Sequence, residues 1–155
     1  MKRILLADDS PQDTELTLTA LGEFNLADEV MTVRDGVEAL DYLHRQGEFI
    51  NSQDETPLVV ILDLKMPRVD GLEVLRQMKR DPLLKLIPVV MLTSSREDRD
   101  VVESYQLGVN AYVVKPVDYQ QFVDAVQRLG IFWTLVNEPP PGSRPKSDSQ
   151  RLPRR

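Results

Sequence analysis

The chain has 155 residues, is 41% hydrophobic and 28% charged, and carries a net charge of −6 with no cysteine. That is enough chain for one domain with a single core, at ordinary globular composition. It excludes disulfides and thiol chemistry, argues against unaided binding to nucleic acid or acidic membranes, and leaves no apolar run near the roughly 18 residues of a membrane span. Only five apolar or small residues precede Asp8, too few for a secretory signal, so a cytoplasmic protein is expected.

In chain order, strands and helices alternate. Residues 3–8 read as a buried strand. Ser10 then suits a helix N-cap, Pro11 the first turn, and Asp13 the positive end of the helix, whose apolar stripe reads Leu16, Ala20, Leu21 and Phe24. A short strand over 29–33 precedes Asp35-Gly36-Val37-Glu38, which resembles a capping box, with Val37, Leu40 and Leu43 on one helix face. Residues 44–57 are polar and longer than most loops, and His44, the single histidine, reads as a solvated helix end. Leu58-Val59-Val60-Ile61-Leu62 is a third strand, and Leu72, Leu75 and Met78 recur at helical spacing after the turn residues 66–71. Pro88 opens a fourth strand, residues 97–107 a helix capped by Gly108, and residues 110–114 a fifth strand. Residues 117–135 read as a long last helix carrying Phe122, Val126, Leu129 and Trp133. Five strands alternating with five helices predict a three-layer α/β/α sandwich on an all-parallel sheet. After Asn137 the composition shifts: residues 138–155 hold five of the eleven prolines and five basic residues against two acidic ones. They read as a disordered or loosely docked tail, leaving residues 1–137 as the folded domain.

Five polar residues stand where buried strands end. Asp8 and Asp9 follow the first strand, Asp63 the third, Thr93 the fourth and Lys115 the fifth. In an open parallel sheet those ends form the ligand crevice. Three carboxylates, a hydroxyl and an ammonium converging there can hold a divalent cation and a phosphoryl group. Asp63 is the expected acceptor, because it sits centrally before the Met66-Pro67 turn. Mg²⁺ prefers oxygen ligands, with Asp9 and Asp63 as direct ligands and Asp8 direct or through water.

The pattern Asp8-Asp9, Asp63-Leu64-Lys65-Met66-Pro67 with Asp70-Gly71, Thr93-Ser94 and Lys115-Pro116 resembles the receiver domain of two-component response regulators over about residues 1–130. That resemblance implies a flavodoxin-like fold and a phosphoryl group received on Asp63 from a histidine kinase. It implies the backbone carbonyl of Lys65 as a further Mg²⁺ ligand, a cis Lys115-Pro116 peptide, and Tyr112 as a switch residue that fills space when the Thr93 hydroxyl moves toward the phosphoryl group. Residues 84–90, Tyr105, Asn110-Ala111-Tyr112, Lys115-Pro116-Val117-Asp118 and Phe132-Trp133 are similar to the single-domain regulators that accompany bacterial phytochromes, which makes a bacteriophytochrome the expected kinase.

The residues after 137 are too few and too polar for a DNA-binding domain, so output through protein–protein contact or phosphate buffering is expected. A homodimer through the fourth helix, fifth strand and last helix is expected, with Phe122, Phe132 and Trp133 as apolar surplus. The protein is expected to be a phosphoacceptor rather than an enzyme, with at most self-catalysed transfer and dephosphorylation. Two rivals differ in class. A metal-dependent aspartyl phosphatase needs its acid two residues after the nucleophile, where this chain has Ser10. A phosphorylation-independent interaction module would have no need of all five site residues.

Overall fold

Every residue of the three central strands is apolar at successive positions except the last of the fourth, the signature of strands covered on both faces. The computed structural model describes residues 2–94, 97–115 and 118–129. Strands β1 (Ile4–Ala7), β2 (Val30–Val33), β3 (Val59–Leu62), β4 (Val89–Thr93) and β5 (Ala111–Val114) form one sheet in the order β2-β1-β3-β4-β5, and every pairing is parallel. The chain steps from β1 outward to β2, then returns to β3 on the other side. That reversal is the topological switch point, and it places the ends of β1 and β3 side by side.

Strand alternation feeds two cores. Ile4, Leu6, Val59, Ile61, Val90, Leu92, Ala111 and Val113 point to the face covered by α1 (Pro11–Gly22) and α5 (Tyr119–Leu129), where they meet Leu21, Leu26 and Ala125. Leu5, Ala7, Val60, Leu62, Val89 and Met91 point the other way, onto Ala39 and Tyr42 of α2 (Gly36–His44) and Val74, Leu75 and Met78 of α3 (Gly71–Arg80). Beside α3 runs α4 (Asp98–Gln106), tied to it by Arg76, which bonds Glu73 on its own helix and Glu103 across the gap. The result is the flavodoxin-like three-layer sandwich, as the strand and helix alternation predicts.

The expected caps are formed. The Asp13 N–H donates to the Ser10 side chain at 3.1 Å, with Pro11 opening α1, and the Glu38 N–H donates to Asp35 Oδ1 at 2.8 Å at the start of α2. Glu38 reaches back to the Arg34 N–H, one residue before the cap, so the capping box is offset by one. Beyond α4, Gly108 takes φ +98, and the Gly108 and Val109 N–H groups bond Tyr105 and Ser104 carbonyls. This is the left-handed ending glycine tolerates best.

Two apolar stripes differ from expectation. On α1 the buried positions are Thr17, Ala20 and Leu21, while Leu16 is half exposed, because it precedes Thr17 by a 100° step that carries it off the sheet. Phe24 lies beyond the helix end and packs on the first core. On α2 the buried face is Gly36, Ala39 and Tyr42, with Leu40 and Leu43 on its flank. The close approach of Gly36 to the β3–α3 loop sets that face: a Cβ there would stand 2.1 Å from the Val69 carbonyl oxygen. The polar stretch 44–57 is anchored rather than loose. Tyr42 bonds Asp54 at 2.9 Å and meets the Phe49 ring edge-on at 5.1 Å, within a stretch that includes a 3₁₀ turn over Gly47–Phe49. His44, at the end of α2, lies 3.8 Å from Asp81. The expected cis peptide at Pro116, the extension of the last helix to residue 135, Phe132, Trp133 and the tail lie outside the described residues.

Candidate functional site

The ladder continues one residue past each strand, and this is what aims the polar groups. The Asp8 N–H bonds the Val33 carbonyl, the Asp63 N–H bonds Ala7, and the Lys115 N–H bonds Thr93, at 2.8–3.1 Å. Backbone held this way cannot swing, so the side chains leave the sheet edge at fixed points. Asp8, Asp63 and Thr93 are buried, and Asp9 is exposed.

Asp8, Asp9 and Asp63 each bring a carboxylate oxygen within 4.8 Å of the others. Lys115 Nζ lies 2.8 Å from Asp8 Oδ2 and 3.0 Å from Asp63 Oδ2. Asp8 Oδ1 accepts from the Ser10 N–H, and Asp63 Oδ1 from the Lys65 N–H at 3.3 Å. Asp8 Oδ2 is fully buried and, among the described residues, has no hydrogen bond aligned on it; the nearby ammonium pairs with it by charge. A buried carboxylate oxygen with unused lone pairs has a demand outstanding, and a cation held by three hard oxygens meets it.

Electrostatics follow from the crowding. Burial lifts the Asp63 carboxyl above the ordinary carboxylate range; Lys115 pulls it back and the Asp8 charge adds to the lift. Burial works against the Lys115 charge, but its contacts with Asp8, Asp13 and Asp63 outweigh that, and the ammonium titrates above the usual lysine range.

The β3–α3 loop closes tightly under the site. Gly71 N–H bonds the Leu64 carbonyl, and a Cβ on Gly71 would stand 2.2 Å from the Asp63 carbonyl oxygen. Arg68 turns the loop at φ +67, with the Val69 N–H returning to the Pro67 carbonyl. The backbone of Lys65 belongs to this loop, and the Lys65 side chain is exposed.

Of the predicted site residues, Asp8, Asp9, Asp63 and Lys115 are thus in one cluster. Thr93 ends β4, buried, in register with Val114 next to Lys115. Tyr112 is half-buried in β5 opposite Met91 and packs on the second core. Two participants escaped the sequence reading. Asp13 Oδ2 lies 2.9 Å from Lys115 Nζ, a third carboxylate on the ammonium. Its place in the first helical turn after the Asp8-Asp9 pair is the available signal. Asp35 pairs with Arg68 and so reaches the loop beneath Asp63.

This arrangement can bind a divalent cation between carboxylates and set an ammonium against an oxyanion brought to Asp63. Proteins similar in sequence and fold are known. The chain is 41% identical over 132 residues to response regulator Rcp1 of Synechocystis sp., covering 85% of this chain and 88% of that one. The solved structure of the bacteriophytochrome response regulator RtBRR is 58% identical, with a TM-score of 0.79 over 92% of this chain and 87% of that one. The Mn²⁺-bound form of Rcp1 superposes at a TM-score of 0.71 and 41% identity, over 86% of this chain and 94% of that one. The response regulator receiver domain family matches residues 4–127. With that match over most of its length, and a parallel sheet that brings Asp8, Asp9, Asp63 and Lys115 to one edge, this chain belongs to the response regulator receiver family, whose members are phosphoacceptors and which includes the phytochrome response regulators.

Proposed function

We propose that this receiver takes a phosphoryl group onto Asp63 from a phosphohistidine of a sensor kinase, with Mg²⁺ held by Asp8, Asp9, Asp63 and the Lys65 carbonyl. One observation carries the reading: Lys115 Nζ stands 3.0 Å from Asp63 Oδ2 beside three carboxylates within 4.8 Å of one another. A carboxylate oxygen of Asp63 attacks phosphorus while the bond from phosphorus to the kinase imidazole, protonated on its other nitrogen, breaks; an acyl phosphate forms and neutral imidazole leaves. Lys115 then has phosphoryl oxygens to pair with as a point charge. Bound Mg²⁺ supplies charge neutralisation at the phosphoryl oxygens. The donor set supports it, since all the ligands are hard oxygens, and a relative has been solved with Mn²⁺, which takes the same ligand class.

The switch reading assigns Thr93 to the phosphoryl group as a hydrogen-bond donor and Tyr112 to the space that Thr93 vacates. Phosphorylation can shift a population only through contacts that differ between two states, and this pair provides them. Likeness to bacteriophytochrome regulators supports a bacteriophytochrome as kinase and a cytoplasmic setting. Output runs through the face of α4, β5 and α5 to a protein partner, with loss of the phosphoryl group by self-catalysed hydrolysis.

Transfer from labelled kinase tests the reading. Wild type is expected to acquire an acid-stable, hydroxylamine-labile label in Mg²⁺ and lose it in EDTA. Asp63→Asn is expected to acquire none, because an amide is a poor nucleophile. Undiminished labelling of Asp63→Asn rejects the acceptor. Normal partner binding by that variant, with no effect of label on wild type, favours a phosphorylation-independent interaction module.

A further inference from the structure

Lys115 has three N–H donors, and three carboxylate oxygens surround it: Asp8 Oδ2 at 2.8 Å, Asp13 Oδ2 at 2.9 Å and Asp63 Oδ2 at 3.0 Å. Two of those donors are hydrogen-bonded, to Asp13 and Asp63, and Asp8 holds the ammonium by charge. A phosphoryl group on Asp63 draws on that same ammonium, so it competes with the carboxylates already there. The three are not equivalent. Asp8 and Asp63 are nearly inaccessible and belong to the three-carboxylate cluster, whereas Asp13 is outside it and its side chain is 36% exposed. Asp13 can rotate into water at little cost; the other two cannot. Its backbone is meanwhile fixed in the first turn of α1, where its N–H bonds Ser10 and Pro11 locks the helix start.

Resting on the phosphoacceptor reading above, we propose that Asp13 is a positioning residue that competes with the phosphoryl group for Lys115. While paired, it keeps the ammonium extended across the crevice toward α1, and its charge opposes an incoming anion. Release of Asp13 is then part of the free energy of phosphorylation, and the residue lowers both the affinity for phosphoryl mimics and the lifetime of the phosphorylated state.

Beryllofluoride titration at saturating Mg²⁺ tests this with the full chain. Asp13→Asn and Asp13→Ala are each expected to bind beryllofluoride about fivefold tighter than wild type, the size of a partly exposed ion pair. Their acyl phosphates should hydrolyse more slowly by a similar factor. High salt should narrow the difference from wild type, since the competition is between charges near solvent. A residue that merely supports the fold would weaken binding or leave it alone. Unchanged or weaker binding by both variants, each with a cooperative melt, overturns the competition while leaving the acceptor reading intact. Failure of wild type itself to bind beryllofluoride with Mg²⁺ overturns the acceptor reading, and this inference with it.

Discussion

Arg68 and Asp35, 33 residues apart, meet in a forked ion pair: Nε lies 2.9 Å and Nη2 2.7 Å from the same Oδ2. Asp35 spends its other oxygen on the cap of α2, so one carboxylate joins that helix to the loop beneath Asp63. The pair spans the Arg68 turn, whose positive φ a β-carbon disfavours and surrounding contacts must hold.

Asp35→Asn separates the two jobs of Asp35, because asparagine caps a helix equally well but cannot pair with Arg68. Burial works to raise the Asp35 carboxyl, but the Glu38 N–H and the Arg68 guanidinium outweigh it and hold the group below the ordinary range. A depressed pKa gives stability that is present above the unfolded-state value and lost as pH falls through the folded-state one. Wild type is therefore expected to exceed Asp35→Asn at pH 7 by under about 1 kcal/mol, Arg68 being more than half exposed. The gap should vanish below the ordinary carboxylate range. Urea melts across that span check it; a gap that persists in acid means the ion pair is not its source.

Asp63 has the opposite sign. A raised carboxyl stabilises below its unfolded-state pKa, and that stability is lost as pH rises through the folded-state value. At pH 7 without metal, ionised Asp63 is a liability that asparagine removes, while Lys115 keeps Asp8 and Asp13. Asp63→Asn is expected to melt a few degrees above wild type in EDTA at pH 7. It should show little advantage near pH 4. Saturating Mg²⁺ should close the gap, since ligand binding then stabilises wild type. Equal melting in EDTA at every pH would mean that crowding at Asp63 costs nothing.

Two glycines make a matched pair of tests. A Cβ on Gly71 would meet the Asp63 carbonyl oxygen at 2.2 Å and its carbon at 3.0 Å, and backbone in a sheet edge cannot give way. Gly71→Ala is expected to cost about 2–3 kcal/mol or more and to weaken Mg²⁺ binding by displacing Asp63. At Gly22, the last residue of α1, nothing lies within 4 Å, and Gly22→Ala is expected to stabilise by about 0.5–1 kcal/mol. Chemical denaturation read beside Mg²⁺ titration decides both; tolerance of alanine at 71 would show that the loop is looser than its geometry.

The sheet was legible because its central strands are continuous apolar runs that end at polar residues. The cluster was legible for the same reason: parallel topology carries strand ends to one edge whatever the loops do. Asp13 and Arg68 were not. Their partners are 102 and 33 positions away in the chain, and each pairing depends on how a helix or loop returns over the sheet. Asp13 also had a sufficient local explanation, a carboxylate at a helix start, which concealed its distant one. The buried face of α2 was misplaced by one residue because apolar periodicity points to Leu40 and Leu43, whereas contact with Val69 selects the smallest residue, Gly36.

Assembly is the last prediction. On α4, Val102 and Tyr105 are three residues apart and about half exposed, so one helix face presents an apolar pair to solvent. Beside it, β5 is the edge strand of the sheet and carries Tyr112. A symmetric copy covering this face would bury the pair twice over, and aromatic anchors dominate such contacts. We expect wild type to dimerise at tens of micromolar, on the order of transient affinities. Tyr105→Asp, and Phe132→Asp combined with Trp133→Ser, should each yield monomers that still accept phosphate. Leu83 and Leu86, in the turn before β4, are the most exposed large apolar residues described and form the competing surface. Leu83→Ser with Leu86→Ser is therefore the control, expected to leave the dimer intact. Sedimentation equilibrium decides between them: a dimer lost in the leucine variant and kept in Tyr105→Asp moves the interface to that turn, and a wild type monomeric with and without beryllofluoride removes it.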